Sequence, residues 1–325
     1  MRVVSLIPSA TEIVALLGAE DALVGRSHEC NFPEGVGSAR VLTSAKTDYD
    51  PIRGDDPRVL SDTVSSSVGS GESLYVLDEQ GLADLEPDLV ITQDLCKVCS
   101  IDAPSVERAI ARLDSKPEVV VLNPESVEDI MDDIVRVGRA MGLDARAMEA
   151  VVGLRARMDH AEVHVNPYDD THVVGFMEWC DPIYVGGHWN VQLVERAGGR
   201  HPLNPTRIVH GSGAAVGPQQ AQRIGGKSIA VSRDEFVGSE PGSLVIAPCG
   251  LSLEQTRSEY ARLVAQDWFS SMRCVREGRV ALVDGDQMFN RPGPRIVDAL
   301  EFMVGFVSGV ESLIPRDFPW ERVGS

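Results

Sequence analysis

The residues of this chain best able to do chemistry gather in a few short polar loops. Cys96-Lys97-Val98-Cys99 is a CxxC pair, directly after the apolar run Leu89-Val90-Ile91-Thr92. Two thiols at that spacing supply half of a tetrahedral zinc site, or form a redox dithiol with a lowered thiol pKa. Cys30 stands next to His28 and Glu29 in Arg26-Ser27-His28-Glu29-Cys30-Asn31-Phe32-Pro33, while Cys180 and Cys249 follow two later apolar runs. Three thiolates joined by His28 or Cys180 would suit zinc or an iron–sulfur cluster. Cys30, Cys96, Cys99, Cys180 and Cys249 are therefore the candidate metal ligands. The plain alternative is that each is a small buried hydrophobe.

A second set of residues suits a noncovalent ligand. His28, Glu29, Glu178 and His188 are polar groups placed in loops, and Gly186-Gly187 precedes His188-Trp189. Glycine lets backbone come close to a ligand, and an aromatic ring offers a flat apolar face to a large planar one. Trp179 and Trp189 are the candidate packing faces, weighed against ordinary gap-filling in a core. Ser9 reads first as a helix cap, and as an anion contact if that helix start faces the ligand. His160 and His164 stand four apart on a helix but have no partner motif, and His172, His201 and His210 show no ligand pattern. The chain has no GxGxxG after its first strand, no P-loop, no GxSxG and no HExxH, so the usual nucleotide and hydrolase machinery is missing and binding is favoured over catalysis.

These loops need strands and helices to position them. Val3 to Ile7 reads as a strand, and Ser9-Ala10-Thr11-Glu12 as a capping box opening a helix that Gly18 closes. Residues 43–73 are polar and read as a loop with one helix at most. A helix over Leu77 to Leu85, a strand over Leu89 to Thr92, a helix over Val106 to Leu113 and a strand over Val119 to Leu122 complete the first unit. Strands alternating with helices imply a parallel sheet, whose ligands collect at the carboxyl ends of the strands. Ser126 to about Val165 is helical, broken at Gly142-Leu143-Asp144. The rhythm then restarts. His172 to Met177 is a strand, 178–189 a long loop and Val191 to Ala197 a helix. Ser232 to Glu235 is a capping box and Ser243 to Ala247 a strand. The rest reads as a helix from Leu253 to about Ala265, a strand over Arg279 to Val283 and a helix from Arg295 to about Val310. The expected architecture is α/β: a lobe over 1–143, a connecting helix over 144–165 and a second lobe over 166–325, each lobe with a mainly parallel sheet.

At 325 residues the chain suits two such lobes. A net charge of −19 argues against a nucleic-acid partner, because phosphate binding needs clustered Lys and Arg. The basic residues are almost all arginine, lysine standing only at Lys46, Lys97, Lys116 and Lys227. No apolar run approaches the ~20 residues of a membrane span. The start of the chain shows no signal-peptide pattern and no cysteine for a lipid anchor, so a cytoplasmic location with reduced thiols is expected.

Several segments together resemble the cobalamin and iron-chelate substrate-binding proteins of ABC importers, the class III receptors with a helical backbone. They are Val4-Ser5-Leu6-Ile7-Pro8-Ser9-Ala10-Thr11-Glu12, the Arg26 to Pro33 loop, Pro87-Asp88-Leu89-Val90-Ile91-Thr92-Gln93-Asp94-Leu95-Cys96, Glu178-Trp179-Cys180-Asp181-Pro182, Ala197-Gly198-Gly199, Pro248-Cys249-Gly250 and Asn290-Arg291-Pro292-Gly293-Pro294-Arg295. More narrowly, the His-Glu-Cys and CxxC loops resemble a branch without an export signal, labelled cobalamin-binding. The resemblance implies two lobes joined by one rigid helix, a corrinoid or other metal chelate bound between them, and an ABC permease as partner. The alternative reading is an enzyme or metal carrier built on a zinc or iron–sulfur thiolate centre; a dithiol redox protein is the third.

Overall fold

A computed structural model describes residues 1–47, 49–70, 73–93, 103–113, 115–166, 171–209 and 222–323. The chain divides into two compact units. The first comprises Met1–Tyr49, Val59–Pro124 and Glu128–Leu154; the second comprises Asp50–Arg58, Glu125–Val127 and Arg155–Ser325.

The first unit runs β1 (Val3–Ser5), α1 (Pro8–Leu16), β2 (Leu23–Arg26), β3 (Arg40–Val41), β4 (Thr43–Ala45), α2 (Pro57–Ser70), β5 (Tyr75–Leu77), α3 (Glu79–Asp84), β6 (Leu89–Gln93), α4 (Ala103–Ile110), β7 (Glu118–Leu122) and α5 (Val127–Ala140). Five of these strands form a sheet in the order β3-β2-β1-β6-β7, with every pairing parallel. β1 is central and wholly buried, and β6 is buried at all five positions, as strands covered on both faces must be. The chain moves outward from β1 to β3 and then returns to β6 on the other side. β1 and β6 therefore flank the point where strand order reverses, the place where open parallel sheets bind ligands.

Local details differ from the sequence expectation. α1 begins at Pro8, with Ile7 as N-cap and no side-chain cap, so Ser9 is not the capping residue. Proline's fixed φ and missing N–H suit the first helical position, and that preference overrides the hydroxyl's. The helix expected over 77–85 is split. Tyr75–Leu77 is a strand paired with Thr43–Ala45, and the Asp78 carboxylate accepts from the Gly81 N–H to start α3. The polar stretch 43–73 thus holds a strand, a 3-10 turn at Pro51–Arg53 and α2. α6 (Asp144–Glu162) is one helix of 19 residues, and the boundary between the two units falls inside it.

The second unit continues with β8 (Val174–Cys180), β9 (Ile183–Val185), α7 (His188–Arg196), β10 (Arg207–Ile208), β11 (Arg223–Ile224), β12 (Ile229–Ala230), α8 (Arg233–Gly238), β13 (Ser243–Ile246), α9 (Leu253–Val264), α10 (Asp267–Ser270), α11 (Arg273–Arg276), β14 (Val280–Val283), α12 (Ile296–Ser308) and β15 (Trp320–Val323). Its sheet has six strands in the order β12-β9-β8-β13-β14-β15. β8, β13 and β14 pair in parallel, while β9, β12 and β15 join antiparallel. Much of the long loop expected over 178–189 is therefore regular: β8 extends to Cys180 and turns directly into β9.

α12 carries Phe302 into an aromatic cluster. Its ring stacks on Phe318 at 4.5 Å between centroids and meets Trp320 edge-on at 5.2 Å. Phe302 is fully buried. Phe302→Ala should cost about 3–5 kcal/mol in urea unfolding followed by tryptophan fluorescence.

On α5, Asp133 is 3 % exposed, and its Oδ2 has no hydrogen-bond partner among the described residues. Arg136 approaches the other oxygen at 3.2 Å, but burial dominates and pushes the carboxyl up to about 7. The folded state therefore holds a proton that the unfolded chain releases near pH 4, so stability falls as pH rises from about 4 to 7. At about 1.4 kcal/mol per unit the window is worth on the order of 4 kcal/mol. Asp133→Asn should flatten that slope and raise stability above pH 7; an unchanged urea midpoint at pH 7.5 would count against this reading.

Candidate functional site

In the first unit, the loop leaving the carboxyl end of β2 carries His28, Glu29 and Cys30. Arg26 grips the loop from beneath, donating from Nη1 to the carbonyls of Ser27 (3.2 Å) and Cys30 (2.9 Å). Thr43, the first residue of β4, reaches the same loop. Its hydroxyl oxygen lies 2.9 Å from Ser27 Oγ, 3.1 Å from the His28 amide nitrogen and 2.8 Å from His28 Nδ1. Tyr75 on β5 tilts against the His28 ring at 5.7 Å between centroids, and its hydroxyl donates to Glu29 Oε1 at 3.0 Å. His28 and Glu29 are partly exposed at this end of the sheet. Burial, then the neighbouring Arg26 charge, lowers the His28 pKa, so the ring is neutral at pH 7.

Cys30 points the other way. It is 1 % exposed, with its sulfur 3.0 Å from Thr11 Oγ1 on α1. Ser9 is also buried, inside the first turn of α1.

In the second unit, Glu178 near the end of β8 is a cross-link. It accepts from the Gly187 N–H at 3.3 Å, from Asn190 Nδ2 at 2.7 Å and from the Ser228 hydroxyl. Burial raises its pKa, opposed by those three donors. Around it the chain folds tightly. A Cβ on Gly187 would strike the backbone of Gly226 and Lys227, and one on Gly225 would strike the His188 carbonyl. The room left by these glycines is filled by the protein's own backbone. His188 takes a left-handed φ of 47° at the start of α7, and its N–H donates to the Gly226 carbonyl at 2.6 Å. A non-glycine residue in that region carries strain that surrounding contacts must hold. Its ring stacks on Trp189 at 5.6 Å and stays neutral, chiefly because it is half buried.

The two tryptophans differ. Trp189 is 6 % exposed and donates from Nε1 to the Phe289 carbonyl at 2.6 Å, so it belongs to the core. Trp179 is partly exposed, with Nε1 donating to the Asp181 carbonyl at 3.1 Å. Cys180 sits in the apolar cluster of Met177, Ile183 and Leu282, and burial raises its pKa well above the usual thiol range, keeping it a neutral thiol. Cys249 is exposed in the loop after β13. Cys96 and Cys99 lie outside the described residues. Among the described residues no three His, Cys, Asp or Glu side chains are grouped to hold a metal ion.

Several residues that shape these loops carried no signal in the sequence. Thr43 and Tyr75 come from the stretch around 43–75, whose pairing as a ribbon depends on contacts 30 residues apart. Asn190 and Ser228 matter only because Glu178 lies between them. Asn290 donates to the carbonyl of Gly285 at 2.7 Å, tying down the loop after β14, and Arg291 pairs with Asp286 at 2.9 Å. Both belong to the Asn290 to Arg295 segment.

Solved structures share this fold over almost the whole chain. A possible iron-binding periplasmic solute-binding protein of Staphylococcus epidermidis is 19% identical, with 94% of this chain and 98% of that one covered and a TM-score of 0.66. A periplasmic heme binding protein of Pseudomonas aeruginosa is 19% identical over 95% and 92% of the two chains, at 0.64. The periplasmic vitamin B12 binding protein of Vibrio cholerae is 16% identical over 95% and 97%, at 0.62. No curated protein matches the chain in sequence. Residues 3–287 match the family described as periplasmic binding protein, and this chain belongs to that family.

Proposed function

We propose that this protein binds a small-molecule metal chelate noncovalently, a corrinoid such as cobinamide first among candidates, and hands it to an ABC permease. The observation that carries the reading is the full-length likeness to binding proteins named for iron, heme and vitamin B12. Heme and vitamin B12 are large, partly flat chelates with polar groups at the rim. The loops here offer matching chemistry: in the first unit the His28 ring beside Tyr75, and in the second unit His188 and the partly exposed Trp179. The corrinoid preference rests on the His-Glu-Cys and CxxC loops of the sequence. A thiolate metal centre finds less support, because Cys30 and Cys180 are each buried within their own unit and Cys249 is exposed.

A ligand that binds only the folded state stabilises it by about 2.7 kcal/mol at a hundred times its Kd. At ~2–4 °C per kcal/mol for domains of this size, the expected rise in Tm is about 5–10 °C. Cobinamide, cyanocobalamin and hemin should be tested in parallel by thermal unfolding and absorption titration. A shift with hemin alone would remove the corrinoid assignment, and no shift with any of the three would remove chelate binding.

Trp179 and Trp189 should separate binding from folding. Trp189→Ala should lower stability by about 3–5 kcal/mol, as expected for a buried aromatic. Trp179→Ala should leave the Tm of the free protein nearly unchanged and weaken cobinamide binding about tenfold, roughly the loss of one aromatic contact. Equal effects of the two variants on stability would show that Trp179 is a core residue as well.

A further inference from the structure

We infer that His28 carries its proton on Nε2 and presents that N–H as a hydrogen-bond donor to an oxygen of the ligand, a carboxylate or an amide carbonyl, instead of offering a ring lone pair to a metal. The inference deepens the proposed chelate binding, but the proton's position follows from the free protein alone.

The argument is a count of donors and acceptors around Thr43. A threonine hydroxyl donates once and accepts twice. Three groups meet this one: the His28 backbone N–H, Ser27 Oγ and His28 Nδ1. The backbone N–H can only donate, which takes one lone pair. Ser27 is 3 % exposed and accepts from the Glu29 N–H at 3.3 Å. Among the described residues its own O–H has one acceptor within reach, Thr43 Oγ1, which takes the second lone pair. Thr43 must then donate, and the remaining partner is His28 Nδ1. Nδ1 is therefore the acceptor, and a neutral ring with an accepting Nδ1 has its hydrogen on Nε2.

The opposite tautomer breaks this count. With a hydrogen on Nδ1, Thr43 would have to donate to Ser27, leaving the Ser27 O–H buried with no acceptor among the described residues. Buried polar hydrogens are rarely left so. Coordination of a metal through Nε2 requires that tautomer, so the Ser27–Thr43 pair acts against it. Nε2 has no hydrogen-bond partner among the described residues, and the ring is partly exposed beside Tyr75. The donor faces whatever occupies the carboxyl end of the sheet. Rim oxygens are what it would meet on a chelate: amide carbonyls on a corrinoid, carboxylates on a heme.

The test begins on the free protein. Long-range proton–nitrogen NMR of histidine-labelled protein at pH 7.5, with His28 assigned by loss of its signals in His28→Gln, should show a protonated Nε2 and an unprotonated Nδ1. Thr43→Val should erase this preference and Thr43→Ser keep it. A protonated Nδ1 in the wild-type protein would overturn the inference, whatever the ligand. Titrations of His28→Gln and His28→Phe with cobinamide and hemin form the second arm. Glutamine keeps an N–H donor near the Nε2 position, whereas phenylalanine keeps only the ring. Glutamine should bind nearly as wild type and phenylalanine about tenfold more weakly, roughly one lost hydrogen bond. Weakening with hemin alone identifies a carboxylate partner, and weakening with cobinamide alone an amide. Equal loss in both variants, with a change in the metal's absorption band, would mean ligation and would sink the proposal. If wild-type protein binds neither probe, chelate binding fails while the nitrogen spectra still decide the tautomer.

Discussion

A parallel strand that ends inside a protein leaves its last polar groups without a ladder, and something else must hold them. The carboxyl ends of both sheets here meet that demand with side chains. Arg26 holds the loop after β2 through two carbonyls, and Thr43 holds it again through a hydroxyl. Glu178 gathers three donors after β8, and Asn290 secures the carbonyl of Gly285 after β14. Loops tied down in this way have less conformational freedom to lose when a ligand binds. The exposed groups that remain, His28 and Trp179 among them, are set on a rigid base.

The same demand sorts the polar residues into two kinds. Glu178 accepts from the protein's own donors and so holds Gly187, Asn190 and Ser228 together. His28 has one nitrogen engaged and the other turned outward. The first kind gives shape and the second gives contact. The cysteines divide by burial in a similar way. Cys30 and Cys180 are packed among apolar or hydroxyl neighbours and are best understood as small hydrophobes, whereas Cys249 stands in a loop at a strand end.

The alternation of strand and helix was readable because buried parallel strands are continuous apolar runs. Val3 to Ser5, Leu89 to Gln93, Ser243 to Ile246 and Val280 to Val283 all appear where that pattern puts them. The 19-residue α6 and the capping box at Ser232 were equally local signals. What could not be read were pairings decided at long range. The β4–β5 ribbon is polar and short, so nothing in residues 43–77 marks it before the two segments meet. Ser9 looked like a cap because hydroxyls favour that position, but Pro8 sets the start of α1. The candidate residues were legible as types, while their roles depended on neighbours far along the chain. Glycines 186 and 187 show this best. They mark a close approach, as glycines do, but the approaching groups are the Phe176 ring at Gly186 and the backbone of residues 226–228 at Gly187.

Hydroxyl networks explain why a histidine at such a site need not behave as a metal ligand. The imidazole ring is symmetric enough that either nitrogen can hold the proton, so second neighbours decide which does. At His28 the decision belongs to Ser27 and Thr43, two small buried residues. They convert a ring able to coordinate into one that donates, and a donor selects for the rim of a chelate instead of its centre. Contact at the rim would leave the coordination sphere of a bound chelate's metal unchanged.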